Sequence, residues 1–132
     1  MGKLINGIHH VALKCKGVEE FQKTIHFYKD ILGLDVVRTW GSGTDAGIML
    51  DTGCGILEIF ASAEEDLPQG AIQHFALATD DVDACIAAVR EAGYDVTVEP
   101  KSMAIQSEPE FPIRIAFCIG PVGEEIEFFH VR

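Results

Sequence analysis

One short pattern occurs twice and limits what this chain can fold into. Residues 8–13 read Ile-His-His-Val-Ala-Leu, and residues 72–77 read Ile-Gln-His-Phe-Ala-Leu. Each alternates in the manner of a half-buried strand. Val11, Leu13 and Cys15 fall on one face, and Ile8, His10, Ala12 and Lys14 on the other. In the echo, Phe75 and Leu77 oppose His74 and Ala76. A strand of this kind, used twice in 132 residues, predicts a duplicated unit with pseudo-twofold symmetry.

The segments between the copies support the duplication. After the first strand, residues 18–32 carry a helical stripe of Phe21, Ile25, Tyr28 and Ile31/Leu32, stopped by Gly33. Strands are expected at 34–40, 46–51 and 56–62, separated by the turns Gly41-Ser42-Gly43 and Thr52-Gly53-Cys54-Gly55. The acidic, aperiodic stretch 63–71 reads as a linker. The order then restarts: a strand at 72–78, then a helix capped by Asp80 or Asp81 and running to Ala92. Its apolar stripe is Val82, Ile86 and Val89, and Gly93 stops it. A strand at 94–99 follows, then a proline-bearing loop at 100–112, and strands at 113–119 and 125–131. The fold class predicted is α+β: two βαβββ modules, 7–62 and 72–131, within one domain spanning 1–132. Each module is a sheet with a helix on one face, and the two sheets are expected to form a curled mixed sheet around an open cleft.

Parity then selects the chemistry. Leu57 and Ile59 take the helix side of their strand and leave Glu58 opposite; Ile126 and Phe128 do the same for Glu127. His10, Glu58, His74 and Glu127 therefore all point away from the helices. Two imidazoles and two carboxylates make a mixed nitrogen and oxygen donor set suited to Zn, Ni, Co, Mn or Fe. Ala12 and Ala76, in phase with the histidines, leave room above such a metal. His9 has the opposite parity and reads as structural, as do His26 on the helix and His130 on the helix side of the last strand.

Composition narrows the partners. A formal net charge of −11 argues against nucleic acid and anionic membrane surfaces, which need clustered Lys and Arg. The four cysteines form no Cys-x-x-Cys pair, and Cys15, Cys85 and Cys118 sit in apolar patterns as small buried thiols. No apolar run reaches signal-peptide or membrane-span length, so the expected location is the cytoplasm.

With these residues in view, the chain resembles the vicinal oxygen chelate superfamily, the glyoxalase I-like proteins. The resemblance runs from Ile8 to Phe129. It takes in His10-Val11-Ala12-Leu13, Phe27-Tyr28, Ile31-Leu32-Gly33-Leu34, Leu57-Glu58-Ile59, the restart at His74, and the Gly120-Pro121-Val122-Gly123 turn before Ile126-Glu127-Phe128. It implies the glyoxalase/bleomycin resistance/dioxygenase fold, and it puts the family's four metal positions on His10, Glu58, His74 and Glu127. It further implies a divalent metal (Ni, Zn, Co or Mn), a small-molecule substrate and a homodimer. The activity implied is a lyase or isomerase of glyoxalase I type, moving a proton through an enediolate on a small α-oxo compound or its thiol hemithioacetal. Glu127 is then the first choice for the catalytic base and Glu58 the opposing candidate. An acyl-CoA epimerase of methylmalonyl-CoA epimerase type is the alternative enzyme, and a non-catalytic small-molecule binding or resistance protein the alternative of another class.

The chain also departs from the glyoxalase I pattern. Lys14 stands where those enzymes usually carry an arginine for glutathione, and Ser62 where they often carry an asparagine. Both departures weaken the case for glutathione. Lys14, Arg114 and Lys101 are the candidates for holding an anionic substrate, and residues 101–112 are expected to form a lid or substrate wall.

Overall fold

Alternating side chains at the start of each half become strands, and the apolar stripe that follows becomes a helix packed on one sheet face. A computed structural model describes residues 8–66, 72–105, 107 and 109–132. The chain divides into two compact units, Met1–Leu67 and Pro68–Arg132.

In the first unit, β1 (His10–Lys14) is followed by α1 (Gly17–Ile25), β2 (Asp35–Trp40), β3 (Gly47–Asp51) and β4 (Ile56–Phe60). The sheet order is β1-β4-β3-β2, with β1 and β4 parallel and the other pairs antiparallel. Leu50, Leu57 and Ile59 are buried on one face, with Phe21, Thr24, Phe27 and Tyr28 of the helical segment also buried. The helix expected at 18–32 is not uniform. After Ile25 it widens into a π-helical segment, His26–Ile31. Phe27 and Tyr28 are adjacent and both wholly buried, their rings edge to face at 4.9 Å. A regular α-helix turns neighbouring side chains about 100° apart. The wider turn, in which Leu32 N–H donates to Phe27 O, brings both rings inward. Gly33, at φ +82°, then ends the segment as expected.

The second unit holds β5 (Phe75–Ala78), α2 (Val82–Glu91), β6 (Val96–Ile105), β7 (Phe111–Ile119) and β8 (Glu125–Val131), in the order β5-β8-β7-β6 with β5 and β8 parallel. The Asp81 carboxylate accepts from Ala84 N–H at 3.0 Å, and Val82, Ile86 and Val89 are buried, so cap and stripe both stand as predicted. Both units therefore have the βαβββ order that the repeat implied.

The lid expected at 101–112 is corrected. Lys101–Ile105 belong to β6, and Phe111 and Pro112 to β7; Gln106 and Glu108 lie outside the described residues. Pro100 discouraged a strand, yet it sits on the edge strand β6, where the register slips between Val98 and Lys101. An edge bulge needs no N–H from that residue. Of the linker expected at 63–71, residues 67–71 likewise lie outside the described residues.

Burial sorts the cysteines. Cys15 and Cys118 are fully buried, Cys85 is half-buried and Cys54 is exposed. Desolvation pushes the Cys118 thiol up to about 12. Because the thiolate is the reactive form, alkylation of the native protein is expected to label Cys54 rapidly and to reach Cys15 and Cys118 only after denaturation. Peptide mapping showing all four labelled at one rate would contradict the packing. Among the described residues no helix is long and apolar enough to cross a membrane.

Candidate metal centre

Each unit presents one histidine to one glutamate by the same construction. In the first, parallel pairing of β1 with β4 sets Ala12 beside Glu58, and His10 lies one step back on the same face. His10 Nε2 is 3.5 Å from Glu58 Oε1. In the second, β5 and β8 set Ala76 beside Glu127, and His74 Nε2 is 3.2 Å from Glu127 Oε1. Both glutamates lie on interior strands and are little exposed, at 8% and 9%. The residues flanking them, Leu57 and Ile59 or Ile126 and Phe128, fill the core on the reverse face. A carboxylate so enclosed is stable only beside a cation, a proton or strong donors, and the facing imidazole is the one polar side-chain partner described for each.

The second ring nitrogens are held in matching ways. His74 Nδ1 lies 2.8 Å from Gln73 Oε1. An amide oxygen only accepts, so Nδ1 carries a proton and Nε2 is the nitrogen left facing Glu127. Phe117, the register partner of Glu127, packs edge to face on the His74 ring at 5.3 Å. His10 Nδ1 lies 2.9 Å from His9 Nδ1; one of the two donates, and donation by His10 frees its Nε2 in the same way. An imidazole nitrogen and a carboxylate oxygen facing each other at 3.2–3.5 Å are held together by a proton or a cation shared between them. The donor chemistry of both pairs thus fits a divalent metal. Among the described residues no group of three or more His, Cys, Asp or Glu side chains is drawn together; each unit holds a pair.

The remaining candidates separate. Lys14 is exposed on the Glu58 face, in register with Phe60, and Lys101 pairs with Ile115 on the Glu127 face. Arg114 lies on the other face. Its Nε and Nη2 donate to the Asp83 carboxylate of α2, both at 2.7 Å, and Nη1 donates to Ser102 Oγ at 3.1 Å. These bonds hold the Asp83 carboxyl below its ordinary range and raise the guanidinium above its own. Alternation along β7 puts Arg114 opposite Phe117, the neighbour of Glu127, so it is withdrawn as a substrate residue. His26 pairs with Asp30, and His130 is the register partner of Arg114. Sequence reasoning missed His9 and Gln73 as partners of the site histidines, and Arg38 and Trp40 as residues of the Glu58 face.

This repeated construction belongs to a known family. The family model described as the Glyoxalase/Bleomycin resistance protein/Dioxygenase superfamily matches residues 7–128. The chain belongs to that superfamily. Among solved structures of the same fold, a glyoxalase family protein from Enterococcus faecalis is 21% identical, with 96% of this chain and 99% of that one covered and a TM-score of 0.69. A glyoxalase/bleomycin resistance protein/dioxygenase from Alicyclobacillus acidocaldarius is 18% identical, covering 96% and 92%, at a TM-score of 0.66. A lactoylglutathione lyase from Agrobacterium tumefaciens is 18% identical, covering 97% and 96%, at a TM-score of 0.65. At these identities the likeness is one of fold. No curated protein matches the chain.

Proposed function

We propose that this superfamily member is a metal-dependent lyase or isomerase of glyoxalase I type, acting on a small α-oxo compound or its thiol hemithioacetal. His10, Glu58, His74 and Glu127 would hold one divalent metal, each site drawing one His/Glu pair from each kind of module. The observation that carries this reading is the matched pair of enclosed glutamates, each faced by an imidazole Nε2 whose Nδ1 is engaged by the preceding residue. When bound, a divalent cation supplies Lewis acidity toward two vicinal substrate oxygens.

The protein's own part is proton movement. Glu127 takes a proton from one carbon and returns it to its neighbour, so the reaction has no net oxidation or reduction. Glu58 is the opposing candidate for the same role. Ala12 and Ala76 add no bulk beside the carboxylates, which leaves space for substrate. The enclosing strands exclude water from all but the exposed edge of each carboxylate, which strengthens charge interactions there.

Assays of methylglyoxal hemithioacetals with several thiols, run beside a panel of acyl-CoA thioesters, test the proposal. Turnover of a hemithioacetal supports it. Epimerisation of a thioester alone would replace it with the epimerase reading, and protein that binds neither Ni, Co nor Zn would remove both enzyme readings.

Holding the Nδ1 proton has its own consequence. Losing a partner that orients a ligand histidine typically costs 10–100-fold in metal affinity. A Gln73→Leu variant is therefore expected to bind nickel about 10–100-fold more weakly by calorimetry while keeping the wild-type melting temperature. Unchanged affinity would remove Gln73 from the site.

A further inference from the structure

The Glu58 face carries a second arrangement, on β2 and β3, that metal binding does not explain. Two rows cross the first sheet. One runs Ala12, Glu58, Met49, Arg38; the next runs Lys14, Phe60, Gly47, Trp40. The Trp40 indole covers Gly47 so closely that a Cβ at position 47 would clash with its ring. It packs edge to face with Phe60, ring centroids 5.9 Å apart. Trp40 is thus a half-buried aromatic wall in the row beside Met49, two residues along the strand from Arg38.

Arg38 is exposed and makes no ion pair or side-chain hydrogen bond among the described residues. The contrast with Arg90 and Arg114, which are engaged by Glu99 and Asp83, is informative in a chain with 21 acidic and 10 basic residues. Carboxylates are plentiful, yet this guanidinium is left open. Lys14 stands at the far end of the adjoining row. The row on the other side of Arg38 from Trp40 is acidic, with Asp35 and Asp51 paired in register. An anion on Arg38 is therefore favoured on its Trp40 side, away from those carboxylates.

We infer that the substrate is a small carboxylic acid with a flat apolar body, its carboxylate on the Arg38 guanidinium and its body on Met49 and Trp40. The guanidinium fork matches a carboxylate with two parallel donors, and an indole face suits an aromatic or planar group. Two strand spacings, about 10 Å, separate the Arg38 and Glu58 backbones. The carboxylate is thus a recognition group, distinct from the oxygens that react beside Glu58. The inference deepens the proposed function and rests on Glu58 as the reactive end.

Trp40 is the only tryptophan, so its emission reports occupancy directly. The test uses chelator-treated protein, titrated with 3-phenylpropionate and with its neutral amide. The expected result is a saturable change with the acid, at least tenfold weaker binding of the amide, and about tenfold loss of acid affinity in Arg38→Gln with amide affinity unchanged. Equal binding of acid and amide, an unaffected Arg38→Gln variant, or no saturable response to the acid would overturn the inference. Nickel titration of the same two proteins keeps the readings apart. Acid selectivity without nickel binding sinks the metal-dependent function alone, and nickel binding without acid selectivity sinks this inference alone.

Discussion

Replacing Glu127 with glutamine is expected to reduce turnover of whichever panel substrate the wild type accepts by about 10²–10⁴-fold, the usual contribution of a positioned base. The amide keeps the size and shape of the carboxylate but can neither accept the proton nor offer an anionic ligand. Glu127 is 9% exposed and flanked by the buried Ile126 and Phe128, so an isosteric change should leave the strand in place. The loss should thus appear in kcat and in metal affinity while the melting temperature stays within a few degrees. Glu58→Gln should lose metal affinity in the same way, because Glu58 has the same relation to His10 that Glu127 has to His74. The larger kcat effect at constant metal occupancy marks the base. Variants that match the wild type in both properties would show that the glutamates are structural.

The second large effect is on stability. Phe128 is 1% exposed and lies on the interior strand β8, with Leu77 and Ala116 as register partners. Its ring is the largest buried side chain on the reverse of the Glu127 strand, and Ala116 is too small to move into the space it would leave. Truncation to alanine removes the transfer energy of the ring and adds a cavity, together about 3–5 kcal/mol. Against a typical folded-state margin of about 5–15 kcal/mol, that is a large fraction. Guanidinium denaturation followed by circular dichroism should show the midpoint falling sharply in Phe128→Ala. A change below about 1 kcal/mol, the size typical of ordinary surface substitutions or less, would mean that this core is not packed as described.

The duplicated strand was legible because period-two alternation needs no tertiary information, and it led to the module order and to the pairing of His10 with Glu58 and of His74 with Glu127. The failures have local causes. Val36 pairs with Leu50 on the helix side, and simple counting would give Arg38 that side too. The bulge between them pairs Arg38 with Met49 instead and turns it to the Glu58 face. Gln73 and His9 escape a parity argument because each acts on the ring of the histidine that follows it, a contact between sequence neighbours that strand alternation does not report. Arg114 was misplaced because its charge was weighed without its parity. The π-helical turn has no sequence signal beyond two adjacent large aromatics, Phe27 and Tyr28, and Pro100 suggested a loop where an edge bulge accommodates it.

The proposed function requires the two kinds of module to pool their pairs around one metal. X-ray absorption of the nickel-loaded protein, combined with calorimetric stoichiometry, tests it most directly. The account predicts one nickel per chain, with two imidazoles and otherwise oxygen ligands, and loss of that site in both His10→Ala and His74→Ala. Two metals per chain with one imidazole each, or no specific nickel binding at all, would contradict it.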